Sequence, residues 1–125
     1  MLDNEITKEN LNKLVVTFYT KVLKNEVLAP FFIEKLGDDL KSDIWQKHIT
    51  LLTNFWYTIS YGRGEYNGSP FAPHMQIQGL HKEAFETWLR LFFSSVDKIF
   101  TEDIANKFKE RSSIIASNFM RNLNI

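Results

Sequence analysis

At 125 residues the chain is one domain by length, long enough to bury a core without covalent staples. It has no cysteine, which excludes disulfides, zinc–thiolate sites and iron–sulfur clusters. Fifteen basic and fifteen acidic residues cancel with no sustained basic face, so no nucleic-acid partner is expected.

The opening Met1-Leu2-Asp3-Asn4-Glu5 lacks the cationic start of a secretory signal. No apolar run approaches the roughly 20 residues of a membrane span. The expectation is a cytoplasmic protein with no membrane partner. Eleven Phe, three Trp and four Tyr make the chain 14% aromatic. Such a content serves ordinary core packing, or the wall of a large, flat, apolar cofactor, and composition does not choose.

The first predicted element is a helix over 7–24. Thr7 is a good N-cap, Glu9 suits the first turn, and Leu11, Leu14, Val15, Phe18 and Val22 recur at helical spacing. Tyr19 lies at the edge of that stripe, where an inward phenol needs a hydrogen-bond partner. Pro30 then breaks the chain, with a short helical turn expected after it, and Gly37-Asp38-Asp39 reads as a loop.

Ser42 or Asp43 caps a second long helix, whose stripe is Ile44, Trp45, His48, Ile49, Leu52, Phe55, Trp56 and Ile59. His48 thus belongs to an apolar face. Residues 62–79 hold Gly62, Gly64, Gly68 and Gly79 with Pro70 and Pro73, and read as a long functional loop too apolar for a disordered linker. His74 sits in it. A third long helix runs over 82–100 with Phe85, Trp88, Leu89, Phe92, Val96 and Ile99. Thr101 caps a fourth, with the stripe Ile104, Phe108, Arg111, Ile115, Phe119 and Leu123.

The chemistry-bearing residues are few. No His-Glu-x-x-His pair, di-iron carboxylate set, phosphate-cradling loop or nucleophilic triad is present, and no catalytic residue is assigned. What remains is His48 on a helix, His74 in a loop, and an aromatic wall. A haem needs one axial nitrogen, an apolar slot and a polar distal side. Yet an inward helical histidine is most often a hydrogen-bonded core residue, and a loop histidine is most often exposed. Spacing alone leaves haem as one reading among several, beside a haem-free helical interaction protein.

From about Thr7 to Phe119 the chain resembles the group III truncated haemoglobins. The resemblance is carried by Phe18-Tyr19, Pro30-Phe31-Phe32, Trp45-Gln46-Lys47-His48, Asn54-Phe55-Trp56, Gly64-Glu65-Tyr66-Asn67-Gly68, Pro73-His74 and Phe85-Glu86-Thr87-Trp88-Leu89. It implies an all-α fold over 1–125, a single truncated-globin domain with helices packed two over two around haem b (iron protoporphyrin IX).

It also implies roles. His74 matches the proximal iron ligand, while Tyr19 and Trp88 match the pair of distal donors. His48 matches the distal gate, with ligation of the iron as a sixth ligand left open. Phe32 matches the wedge against the ring, and Phe18, Leu52, Phe55 and Trp56 match pocket-wall positions. Two departures stand out. Relatives often have a proline soon after the proximal histidine, whereas Met75 to Leu80 contains none. His81 is an addition, expected to be exposed or beside a propionate, and it is the second candidate for the axial ligand.

The function implied is tight binding of O2, and of CO, NO or cyanide, because two donors in a dry pocket stabilise a ligand that carries partial negative charge. The alternative is enzymatic: NO dioxygenase or peroxidase-like chemistry that needs an external reductase.

Overall fold

The computed structural model describes residues 2–62 and 79–125. Five helices occupy them: α1 (Lys8–Val22), α2 (Ala29–Leu36), α3 (Asp43–Tyr61), α4 (Lys82–Ile99) and α5 (Glu102–Leu123). Among the described residues there is no strand, only an isolated bridge between Asp3 and Phe100. The Asp3 N–H donates to the Ile99 carbonyl at 2.8 Å and the Thr101 N–H to the Asp3 carbonyl at 2.9 Å, which ties the N-terminal segment to the α4–α5 corner.

Helix α1 begins at the expected cap. The Thr7 hydroxyl accepts from the Asn10 N–H at 3.1 Å, and the Asn10 side chain accepts from the Thr7 N–H at 2.8 Å. The helix ends at Val22, two residues before the expected limit, because the Lys24 N–H closes a tighter turn onto the Lys21 carbonyl. Pro30 opens α2 rather than ending an element, since a first-turn proline lacks a donor the helix does not use. The helix has eight residues, Pro30 being the second, where a short turn was expected. Gly37 closes α2 at φ +83°, a conformation that favours glycine.

Ser42, not Asp43, caps α3 by accepting from the Trp45 N–H. The buried line of α3 is Trp45, Ile49, Thr53 and Trp56. Ile44, placed on the apolar stripe by sequence, is 49% exposed, as is Leu51. They flank the half-buried His48, Leu52 and Phe55 on a second apolar face of the same helix.

His81 caps α4, its Nδ1 accepting from the Ala84 N–H at 3.2 Å. Thr101 precedes α5 but makes no side-chain cap bond; Glu102 and Asp103 supply negative charge to that first turn instead. The inner line of α5 is Ala105, Phe108, Ser112, Ala116 and Phe119. Arg111, expected on the inner stripe, is exposed. The buried positions advance by three and four through residue 112, and three of the five are small, which suits close approach to α4. Ser112 is tolerated there because its hydroxyl donates to the Lys109 carbonyl at 3.2 Å.

Helix α1 packs on α3 and on α4, and α4 packs on α5. Two helix pairs, α1–α3 and α4–α5, therefore meet through α1–α4 in a two-over-two sandwich. Between them Phe92 lies stacked on Trp56 (ring centroids 5.0 Å apart) and on Trp88 (5.2 Å), a column of three rings at the centre. Among the described residues no helix is long and apolar enough to cross a membrane.

Candidate functional site

Tyr19 and His48 meet where α1 crosses α3. The Tyr19 side chain is 3% exposed and its hydroxyl lies 3.0 Å from His48 Nε2. Burial pushes the phenol well above its ordinary pKa of 10.0, so it stays neutral and keeps its proton for donation. A neutral His48 protonated at Nδ1 presents Nε2 as the acceptor, whereas the other tautomer reverses the bond. His48 itself is half-buried.

The surrounding rings come from four helices. Phe18, beside Tyr19 on α1, meets its neighbour at 5.0 Å and meets the Trp88 ring of α4 edge-on at 5.4 Å. Phe32 of α2 stands edge-on to Tyr19 at 5.3 Å. Trp45 of α3 touches Tyr19 at 5.0 Å and His48 at 5.6 Å. Trp88 is half-buried, and no group among the described residues accepts from its indole N–H. The structure thus brings together Phe18, Tyr19, Phe32, His48 and Trp88.

Leu52 and Phe55 follow His48 along α3, both half-buried. Trp56 is buried one row deeper, between Phe92 and Phe108. His74 and the glycine-rich stretch with Tyr66 lie outside the described residues. His81 is exposed, with one ring nitrogen engaged in the cap of α4. A groove of about 770 Å³ opens elsewhere, between the end of α3 and α5; of the expected site residues only Trp56 lines it.

Sequence reasoning gave Trp45 no function, although it touches three of the five residues brought together here. Its position three residues before His48 was the available signal. It equally missed the cap at His81, because histidine is not among the usual N-cap residues.

A cofactor test follows from these faces. Among the described residues no cluster of three or more His, Cys, Asp or Glu could hold a bare metal ion. A haem asks the protein for little more than an axial nitrogen and a broad apolar slot. Exposed Leu51 and half-buried Leu52, Phe55, Phe32 and Trp88 offer apolar surface beside one buried hydroxyl, and these residues fit that group.

An all-helical two-over-two sandwich with an aromatic-walled tyrosine–histidine pair defines a globin-type chain. It is 35% identical over 118 residues, 94% of its length and 91% of the relative's, to the group 3 truncated hemoglobin ctb of Campylobacter jejuni. The crystal structure of the group III truncated hemoglobin from Campylobacter jejuni superposes with a TM-score of 0.90 at 35% identity, covering 98% of this chain and 95% of that one. No protein-family model matches. The chain belongs to the group III truncated haemoglobins, as the sequence resemblance implied. Membership implies a haem cofactor and the binding of small diatomic ligands.

Proposed function

We propose that the chain acts as a single globin domain over 1–125 that holds haem b through His74 and binds O2 tightly, with CO, NO and cyanide as further ligands. The observation that carries this reading is the buried Tyr19 hydroxyl, held 3.0 Å from His48 Nε2 within a chain of this family. When bound, ferrous haem supplies one open coordination position for a small ligand.

The residues of the chain do the rest. Phe32, Leu52 and Phe55 form the apolar wall, with buried Trp56 packed behind it, and exclude water, which strengthens every electrostatic contact inside. Tyr19, neutral because buried, donates its phenolic proton towards the ligand. Trp88 adds its indole N–H, and Phe18 braces the Tyr19 and Trp88 rings. His48 is the gate rather than a sixth ligand in this reading, because its Nε2 is already engaged with the phenol. Two donors predict slow ligand release, which suits capture better than transport. Turnover as an NO dioxygenase or peroxidase would draw on an external reductase.

The test is the visible spectrum of the purified protein with one equivalent of haem, in ferric, ferrous and CO-bound forms, for wild type and His74→Ala. A histidine-ligated spectrum lost or altered in the variant is expected. A free-haem spectrum in wild type would reject the cofactor, and an unchanged spectrum in His74→Ala would reject the axial ligand.

A further inference from the structure

We propose that Trp45 is a positioning residue of the ligand site: it presses the Tyr19–His48 pair closed and so sets how readily a small ligand enters and leaves. The inference rests on the haem-binding reading above and adds a residue to it.

Trp45 lies in the first turn of α3 and is 0% exposed. Its indole N–H donates to the Gly37 carbonyl at 2.8 Å, which anchors the ring to the end of α2. Gly37 is itself tied to α2, because its N–H donates to the Ile33 carbonyl at 2.8 Å where it closes the helix. The ring held there meets Tyr19 at 5.0 Å and 61°, and His48 at 5.6 Å and 83°. Phe32 stacks on it at 6.3 Å and 24°.

One indole therefore touches both ends of the distal hydrogen bond and the wedge phenylalanine beside it. His48 is one turn further along the same helix, so a swing of the imidazole towards α2 runs into the indole. The phenol is confined the same way, with Trp45 and Phe32 edge-on to it and Phe18 tilted against it. Closely packed interiors yield in discrete steps rather than smoothly. Removing the indole opens space beside both partners at once, and the pair then samples open arrangements.

A tryptophan that only filled the core would set stability and nothing more. The experiment compares Trp45→Leu with Phe100→Leu, a buried aromatic at the α4–α5 corner that packs on Phe108 and touches neither Tyr19 nor His48. The haem-loaded proteins are examined in the ferrous CO form by flash photolysis and by the infrared C–O stretch, beside thermal unfolding. Trp45→Leu is expected to raise the CO association rate by about tenfold, with a shifted and broadened C–O band.

Phe100→Leu is expected to lose comparable stability with the wild-type rate and band, and Trp45→Phe, which restores an aromatic face, to return the band to its wild-type position. If Trp45→Leu folds too poorly to load, Trp45→Met carries the same comparison. A wild-type rate and band in the Leu or Met variant overturns the proposal while leaving the haem reading intact. Failure of the wild type to hold haem removes both.

Discussion

The Tyr19 hydroxyl and His48 Nε2, 3.0 Å apart on α1 and α3, make a polar contact at the centre of an aromatic cluster. A neutral phenol has a single proton, so in the tautomer whose Nε2 accepts, His48 and an incoming ligand compete for it. Tyr19→Phe removes the donor while keeping the ring against Phe18, Phe32 and Trp45. A charge-assisted hydrogen bond is worth about 1.5–3 kcal/mol, so O2 dissociation should accelerate by roughly 10- to 100-fold. Stopped-flow displacement of O2 by CO measures it, and an unchanged rate would remove Tyr19 from ligand binding.

The same burial has a consequence at high pH. The folded phenol is held above its ordinary pKa of 10.0 by desolvation. Folded protein therefore retains a proton that the unfolded chain releases above about pH 10. The contribution is fully present below that pH and is lost progressively as the pH climbs beyond it, by up to about 1.4 kcal/mol per unit. Urea unfolding between pH 8 and 12 should show wild type losing stability more steeply than Tyr19→Phe above pH 10. Parallel curves would mean the phenol ionises in place.

His81 offers a separation of roles. Its Nδ1 accepts from the Ala84 N–H at 3.2 Å, closing the start of α4 from an exposed position. His81→Ala should cost about 0.5–1 kcal/mol in denaturant unfolding, as for the loss of an N-cap, with the haem spectrum unchanged. A changed spectrum would place His81 at the iron or a propionate instead.

Much of the architecture was legible in helical spacing. The stripe Leu11, Leu14, Val15, Phe18 and Val22 is buried throughout, and Thr7 caps the helix as expected. The failures share a cause. Ile44 and Arg111 each sit one residue off the buried line, a rotation of about 100°: Ile44 is as apolar as buried Trp45 beside it, while beside Arg111 the buried position is Ser112, whose small polar side chain gives no hydrophobic signal. Tyr19 and His48 stand out in sequence by position, but their roles and that of Trp88 come only from the resemblance, because their meeting depends on how α1, α3 and α4 cross. Trp45 reads in sequence as part of its helix stripe and of a shared motif but carries no role there, because its partners Tyr19, Phe32 and Gly37 lie on other elements.

Trp88 separates stacking from donation. Its ring lies nearly parallel to Phe92, 9° apart with centroids at 5.2 Å, and meets Phe18 edge-on. Those contacts hold the indole in place, whereas its N–H has no acceptor among the described residues. Trp88→Phe preserves a ring for the stack and deletes the donor. O2 dissociation should rise by about tenfold, and unfolding free energy should fall by about 1–2 kcal/mol, because the smaller ring leaves a gap beside Phe92 and Phe18. Combining it with Tyr19→Phe tests whether the donors act on one ligand. Two independent bonds to the same ligand give additive logarithmic changes, while a ligand that re-aims at the remaining donor gives a double variant faster than the sum. An unaltered off-rate in Trp88→Phe would leave the indole a packing residue, with Tyr19 the only donor on the distal side.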